Sequence, residues 1–207
     1  MNNSITKQQY TTLDTAYTFY KKALFENNLP DCMIILNRKG KNNLGYFHPD
    51  RFIERSDSKK KSKASELSLN PDNFLGRSDI QILSTLVHEM VHVWQYVNEC
   101  LPKNGYHDKS FGKKMEEIGL MASNTGKPGG KKTGQQMDHY IIEKGKFETA
   151  SKKFLSSKSI KWMSYPIPPA QSVKKNKTKF TCPSCECNAW GKPELKLICG
   201  DCDEEMS

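Results

Sequence analysis

The chain has 207 residues, with 32 Lys and Arg against 23 Asp and Glu and a formal net charge of +9. An apolar share of 36% supports one core of roughly 100–150 residues with a small appendage, not two large domains. No apolar run approaches the roughly 18 residues of a membrane span, and residues 1–10 lack a signal peptide's apolar stretch, so membrane and Sec-secreted classes are not expected.

In chain order, Tyr10, Leu13, Tyr17, Tyr20 and Leu24 recur at spacings of three and four, which predicts an amphipathic helix over residues 5–25. The run Met33-Ile34-Ile35-Leu36 and the segment from Leu44 to Phe47, separated by turn-forming residues, resemble a hairpin. Leu67 and Leu69 predict a third strand, preceded by an exposed Lys-rich loop over residues 56–63. Ser78-x-x-Gln81 with Asp79 fits a helix start with a capping box. The following stripe of Leu83, Leu86, Met90, Val93 and Val97 predicts a helix to residue 97, apolar nearly all round and therefore central. A shorter helix is expected over 109–119, followed by a loop at Thr125 to Gly130. That loop is no phosphate cradle, because Lys131 stands where a Walker motif needs glycine.

The central helix carries His88-Glu89-Met90-Val91-His92. A spacing of four puts both imidazoles on one helix face, one turn apart, where they can share a zinc ion. Glu89 is then free to act as general base on a zinc-activated water. Gln95 and Asn98 stand where the metzincin extension requires Gly and His, which excludes that class. The third ligand is left between His107 and a carboxylate from Glu116 or Glu117, with His107 favoured on residue chemistry. Tyr106, Tyr140 and His139 are candidate oxyanion donors.

Seven cysteines are present, five of them between Cys182 and Cys202. Cys182-x-x-Cys185 and Cys199-x-x-Cys202 have the spacing of a four-thiolate zinc ribbon. So short a module takes its folding energy largely from the metal. Cys187 reads as a free thiol. Trp190 either packs on the ribbon or stacks on a nucleic-acid base. Residues 151–180 hold eight Lys and no acid, with Tyr165-Pro166-Ile167-Pro168-Pro169 among them. This composition reads as an extended linker or a phosphate-binding strip.

The segment Leu86 to His92, then Gly105-Tyr106-His107, Phe111, Met115 and Ile118-Gly119, together with the terminal cysteine pairs, resembles the SprT-like family. That family includes bacterial SprT proteins and the Spartan DNA-repair proteases. The resemblance implies His107 as third zinc ligand, although Asp108 departs from the glycine that many members carry there. It implies an α+β architecture: a small zincin-type protease domain over 1–150, a Lys/Pro-rich linker over 151–178 and a four-cysteine zinc ribbon over 179–207. It further implies two zinc ions, one catalytic at His88, His92 and His107, and one structural at Cys182, Cys185, Cys199 and Cys202. The expected activity is metalloendopeptidase cleavage of DNA-associated or DNA-crosslinked proteins. Lys174, Lys175, Lys177, Lys179 and Trp190 are candidate nucleic-acid contacts. The expected protein is a monomer, cytoplasmic or nucleoid-associated, or nuclear in a eukaryote. The rival expectations are a non-enzymatic DNA-binding or regulatory module, and a DNA-independent peptidase with a dedicated substrate.

Overall fold

A computed structural model describes residues 4–38, 40, 43–55, 61–165 and 177–207. The chain divides into two compact units, with the division after Tyr165.

The first unit is mixed α+β. Helix α1 (Ile5–Leu24) starts at Ser4, whose hydroxyl accepts the Lys7 N–H. It buries Leu13, Ala16, Tyr17 and Tyr20, in keeping with the predicted periodicity. Strands β1 (Cys32–Leu36), β2 (Gly45–Ile53) and β3 (Lys63–Leu69) form one sheet in the order β1-β3-β2. The expected hairpin between the first two strands is therefore not formed. β3 lies between them, parallel to β1 and antiparallel to β2. The reason is burial: β3 is enclosed from Ser65 onwards, whereas β2 has only partly buried and exposed positions. The most apolar surroundings go to the strand with hydrogen bonds on both sides. β2 is left at an edge, the position that tolerates Pro49 within a strand.

Helix α2 (Asp79–Val97) packs against β2, β3, α1 and two later helices, α3 (Lys109–Ile118) and α4 (Lys146–Leu155). Its start is the predicted capping box: the backbone N–H and hydroxyl of Ser78 both donate to Gln81 Oε1, at 2.8 and 3.0 Å. Leu83, Leu86 and Met90 are fully enclosed, each contributing about 1.5–3 kcal/mol of burial. α3 ends on Gly119 at φ 93°, and any Cβ there would lie 2.7 Å from the Phe147 backbone nitrogen. Glycine is thus required both by conformation and by the close approach of α4. Between these helices, β4 (Leu120–Ser123) pairs antiparallel with β5 (Asp138–Ile141).

The first unit continues past the boundary expected at 150. α4 spans that position, and Tyr20 Oη shares a 2.8 Å hydrogen bond with Ser151 Oγ. Beyond the helix, residues 160–164 are strapped onto the unit. Ile160 N–H donates to Asp79 Oδ2, Trp162 exchanges two hydrogen bonds with the Gln9 amide, and Ser164 N–H donates to Pro71 O. The Lys-rich composition hid these contacts because they are made by backbone groups.

The second unit consists of two small hairpins, β6 (Thr178–Thr181) with β7 (Asn188–Gly191) and β8 (Leu197–Ile198) with β9 (Glu205–Met206). Reciprocal Thr181–Ser207 backbone hydrogen bonds join them. Its buried core is Phe180, Cys182, Cys199 and Met206. Among the described residues, no helix is long and apolar enough to cross a membrane.

Candidate metal centres

His88 and His92 project from one face of α2, and His107 reaches them from the segment before α3. His107 is held by a backbone bridge with Gly134, donating N–H to O at 2.9 Å and accepting in return at 3.0 Å. The three Nε2 atoms converge: His107 Nε2 lies 3.1 Å from both His88 Nε2 and His92 Nε2. Zinc–nitrogen bonds of about 2.0–2.1 Å in a tetrahedral array set neighbouring nitrogens roughly 3.3 Å apart, so the trio fits zinc. Phe111 forms the floor, its ring centroid 4.6–4.9 Å from each imidazole.

Convergence alone does not make ligands, because each Nε2 must also carry a free lone pair. The outer nitrogens settle this. His107 Nδ1 lies 3.3 Å from Gly134 O, and His92 Nδ1 lies 3.1 Å from Gln95 Oε1. A carbonyl oxygen only accepts, so both Nδ1 atoms carry the proton and both Nε2 atoms are bare. The Gln95 amide is in turn oriented by donation to Asp108 Oδ1, which also accepts the Phe111 N–H and caps α3. For His88 the chain is longer. Ser84 Oγ donates to Gln81 O at 2.9 Å, so it accepts from His139 Nε2 at 2.8 Å. His139 Nδ1 therefore offers a lone pair to His88 Nδ1–H, 3.2 Å away. That leaves His88 Nε2 bare as well. Such partners fix ring orientation and tautomer at metal sites.

The electrostatics agree with this protonation. Burial, reinforced by the neighbouring imidazoles, holds His88 well below its ordinary value, and burial lowers His92 to about 3 and His139 to about 4. Burial also lowers His107. All four are neutral at pH 7, as metal ligation requires. Glu89 is only 5% exposed, and burial pushes its carboxyl up to about 8. A cation in the histidine cluster would draw it back towards the carboxylate. β2 passes directly over this group. A Cβ on Gly45 would lie 3.2 Å from Glu89 Cγ and Oε1 and 2.8 Å from Ser68 O, so only glycine lets the strand approach so closely.

Of the sequence candidates for a third ligand, His107 is the one grouped with His88 and His92. Glu116 pairs with Lys132 and Glu117 with Lys114, and both carboxylates are about half exposed. Of the candidate oxyanion donors, His139 has both ring nitrogens engaged, while Tyr106 and Tyr140 are absent from the cleft lining. The cleft, about 1330 Å³, is bordered by residues 43–49 of the β2 side, by Leu101, Pro102, Asn104 and Gly105, and by Gln135 to His139. Sequence reasoning named His88, His92 and His107, which the structure brings together, and Glu89, which lines the same cleft. It missed Phe111 as the floor, and it missed Gln95 and His139 as the groups that set the tautomers.

In the second unit, the thiols of Cys182, Cys185, Cys187 and Cys199 lie within 4.8 Å of one another. Cys199 Sγ is 3.6 Å from Cys185 Sγ and 3.7 Å from Cys187 Sγ, against the roughly 3.8 Å edge of a tetrahedron with 2.3 Å zinc–sulfur bonds. Cys202 packs against the buried cluster that contains Cys182 and Cys199. The donor set fits a soft divalent cation, and Cys187 is part of it instead of standing apart. The backbone N–H of Cys187, with neighbouring thiols, lowers Cys185 to about 6, which favours its thiolate.

Trp190 does not pack into the second unit's core: it is 62% exposed and pairs across the hairpin with Lys179. Lys177 is exposed as well, whereas Lys174 and Lys175 lie outside the described residues.

Comparison with known proteins agrees with this geometry. A Salmonella typhimurium protein described as "Uncharacterized protein in mucB 3'region" is 42% identical over 53 residues, covering 26% of this chain and 70% of that protein. No solved structure matches. The SprT-like family matches over residues 13–133, more than half of the chain and all of the histidine cluster. The chain belongs to the SprT-like family.

Proposed function

We propose that the first unit is a zinc-dependent metalloendopeptidase of zincin type and that it cleaves DNA-associated or DNA-crosslinked proteins. The observation that carries the peptidase reading is the trio of bare, converging Nε2 atoms beside a buried carboxyl at the base of an open cleft. Family membership points to the same metallopeptidase-like chemistry.

His88, His92 and His107 would hold the zinc, which when bound supplies Lewis acidity to a water and to a peptide carbonyl. Everything else falls to the chain. Glu89 takes the water's proton on its carboxylate and returns it to the leaving amine, so that proton and charge balance over the cycle. Phe111 excludes water beneath the imidazoles, and Gln95, Gly134 and His139 keep the rings aimed. Among the described strands, β2 pairs only with β3. An extended substrate can therefore lie along its free edge, beside Glu89, by strand addition.

Support for a nucleic-acid partner comes from charge and from one cross-strand pair. Residues 151–180 carry eight Lys and no acid, while residues 181–207 carry two Lys and six acids. Phosphate contacts would therefore come from the Lys-rich stretch. Lys179 beside exposed Trp190 supplies one charge and one stacking surface. The protein would act as a monomer in the cytoplasm or on the nucleoid.

The test is cleavage of a DNA-bound protein by the full chain, with and without DNA, for wild type and Glu89→Gln. Wild type is expected to cut, faster with DNA, and the variant to be silent. DNA-independent cutting by wild type would retain the peptidase and remove the DNA-directed reading. Equal cutting by both proteins, or none by either, would remove the peptidase reading.

A further inference from the structure

The two cysteine knuckles are near copies of one another. In the first, Cys182 N–H donates to Cys187 O and Glu186 N–H donates to Cys182 O, at 2.9 and 3.0 Å. In the second, Cys199 N–H donates to Glu204 O and Asp203 N–H donates to Cys199 O, both at 2.9 Å. Glu186 and Asp203 take matching left-handed conformations, φ 59° and 52°. Cys185 therefore corresponds to Cys202, and Cys187 corresponds to Glu204. The internal symmetry selects Cys202 as the fourth ligand.

Distances favour a different fourth thiol. The left-handed turn at Glu186 folds Cys187 back over the knuckle, where its Sγ comes within 3.7 Å of Cys199 and joins the four mutually close thiols. Cys202 meanwhile packs against the buried cluster that holds Cys182 and Cys199. Five thiols thus gather at a cluster where a tetrahedral ion takes four. Cys182 and Cys199 are buried, Cys185 and Cys187 exposed, and Cys202 half-buried. Both contenders for the fourth place are thus open to solvent.

We propose that Cys182, Cys185 and Cys199 are fixed ligands of the second unit's metal, and that Cys187 and Cys202 exchange in the fourth position. No bond other than metal–sulfur changes: one thiolate leaves the ion and takes up a proton as the other, having lost its proton, binds. At any moment one exposed thiol is uncoordinated beside the ion. This reading does not depend on the peptidase proposal, because it concerns a different unit and needs no catalysis.

The experiment loads the full chain with cadmium-113 and reads the sulfur-site resonance, which shifts with the number of sulfur ligands and is distinct from the all-nitrogen site. Cys187→Ser and Cys202→Ser are each expected to retain the four-sulfur signal, and the double variant to lose it. Loss of the signal in either single variant overturns the proposal, since one thiol would then be indispensable. Alkylation of zinc-loaded wild type supplies a readout with no substitution. Cys187 and Cys202 should both be partly modified while Cys182, Cys185 and Cys199 stay protected. Modification confined to one of the pair contradicts exchange.

Discussion

The histidine cluster and the cysteine cluster stand in opposite relations to their folds. The three imidazoles sit on a scaffold already complete: α2 is packed on several sides, Phe111 lies beneath the rings, and each outer nitrogen has a protein partner. The thiols have no such scaffold, because two of them, Cys182 and Cys199, are themselves half of the second unit's four-residue core. A metal in the first unit is positioned by the fold. In the second, the metal would supply most of the fold's stability.

Chelation breaks this comparison most sharply. Stripping metal from the full chain should unfold residues 177–207 while leaving the helices of residues 4–165 intact, as hydrogen exchange would register unit by unit. Equal loss of protection in both units would contradict the contrast. Next in size is Phe111→Ala, expected to cost about 3–5 kcal/mol in denaturant unfolding of the first unit and to weaken its metal site. Trp190→Ala, at a position 62% exposed, should change stability by no more than about 0.5 kcal/mol.

Finer tests concern the partners of the imidazoles. His139→Ala and Gln95→Ala should each lower zinc affinity of the histidine site by about 10–100-fold, measured by chelator competition, with helix content and the thiolate site unchanged. An unaltered affinity would mean that packing alone orients the rings. A pH-dependent effect lies at Glu66. Burial pushes its carboxyl up, but donation from the Ser68 and Tyr46 hydroxyls, with Arg51 nearby, brings it below its ordinary 4.5. A depressed folded pKa stabilises above about 4.5, and this contribution is lost as pH falls through the folded value. Glu66→Gln should therefore flatten the acid limb of the first unit's stability curve, as read by urea unfolding at a series of pH values.

Features governed by local periodicity were legible in the sequence. The capping box at Ser78, the spacing of His88 and His92, the short helix after His107 and the paired Cys-x-x-Cys knuckles each depend on residues close in the chain. What stayed hidden depends on distant partners. His139 lies 51 residues from His88, and its role follows from the antiparallel pairing of β4 with β5. The β1-β3-β2 order was not readable either, because short apolar strands carry no signal for which neighbour each will take. Cys187 was misread for a related reason. Its one-residue separation from Cys185 suggests a thiol pointing away, until the left-handed Glu186 folds it back.

Metal content tests the central claim, two separately built centres in one chain, most directly. Elemental analysis of the purified full chain should find two zinc ions per wild-type chain and one in His88→Ala, the retained ion being the thiolate-bound one. A single ion in wild type, or loss of both from His88→Ala, would contradict it.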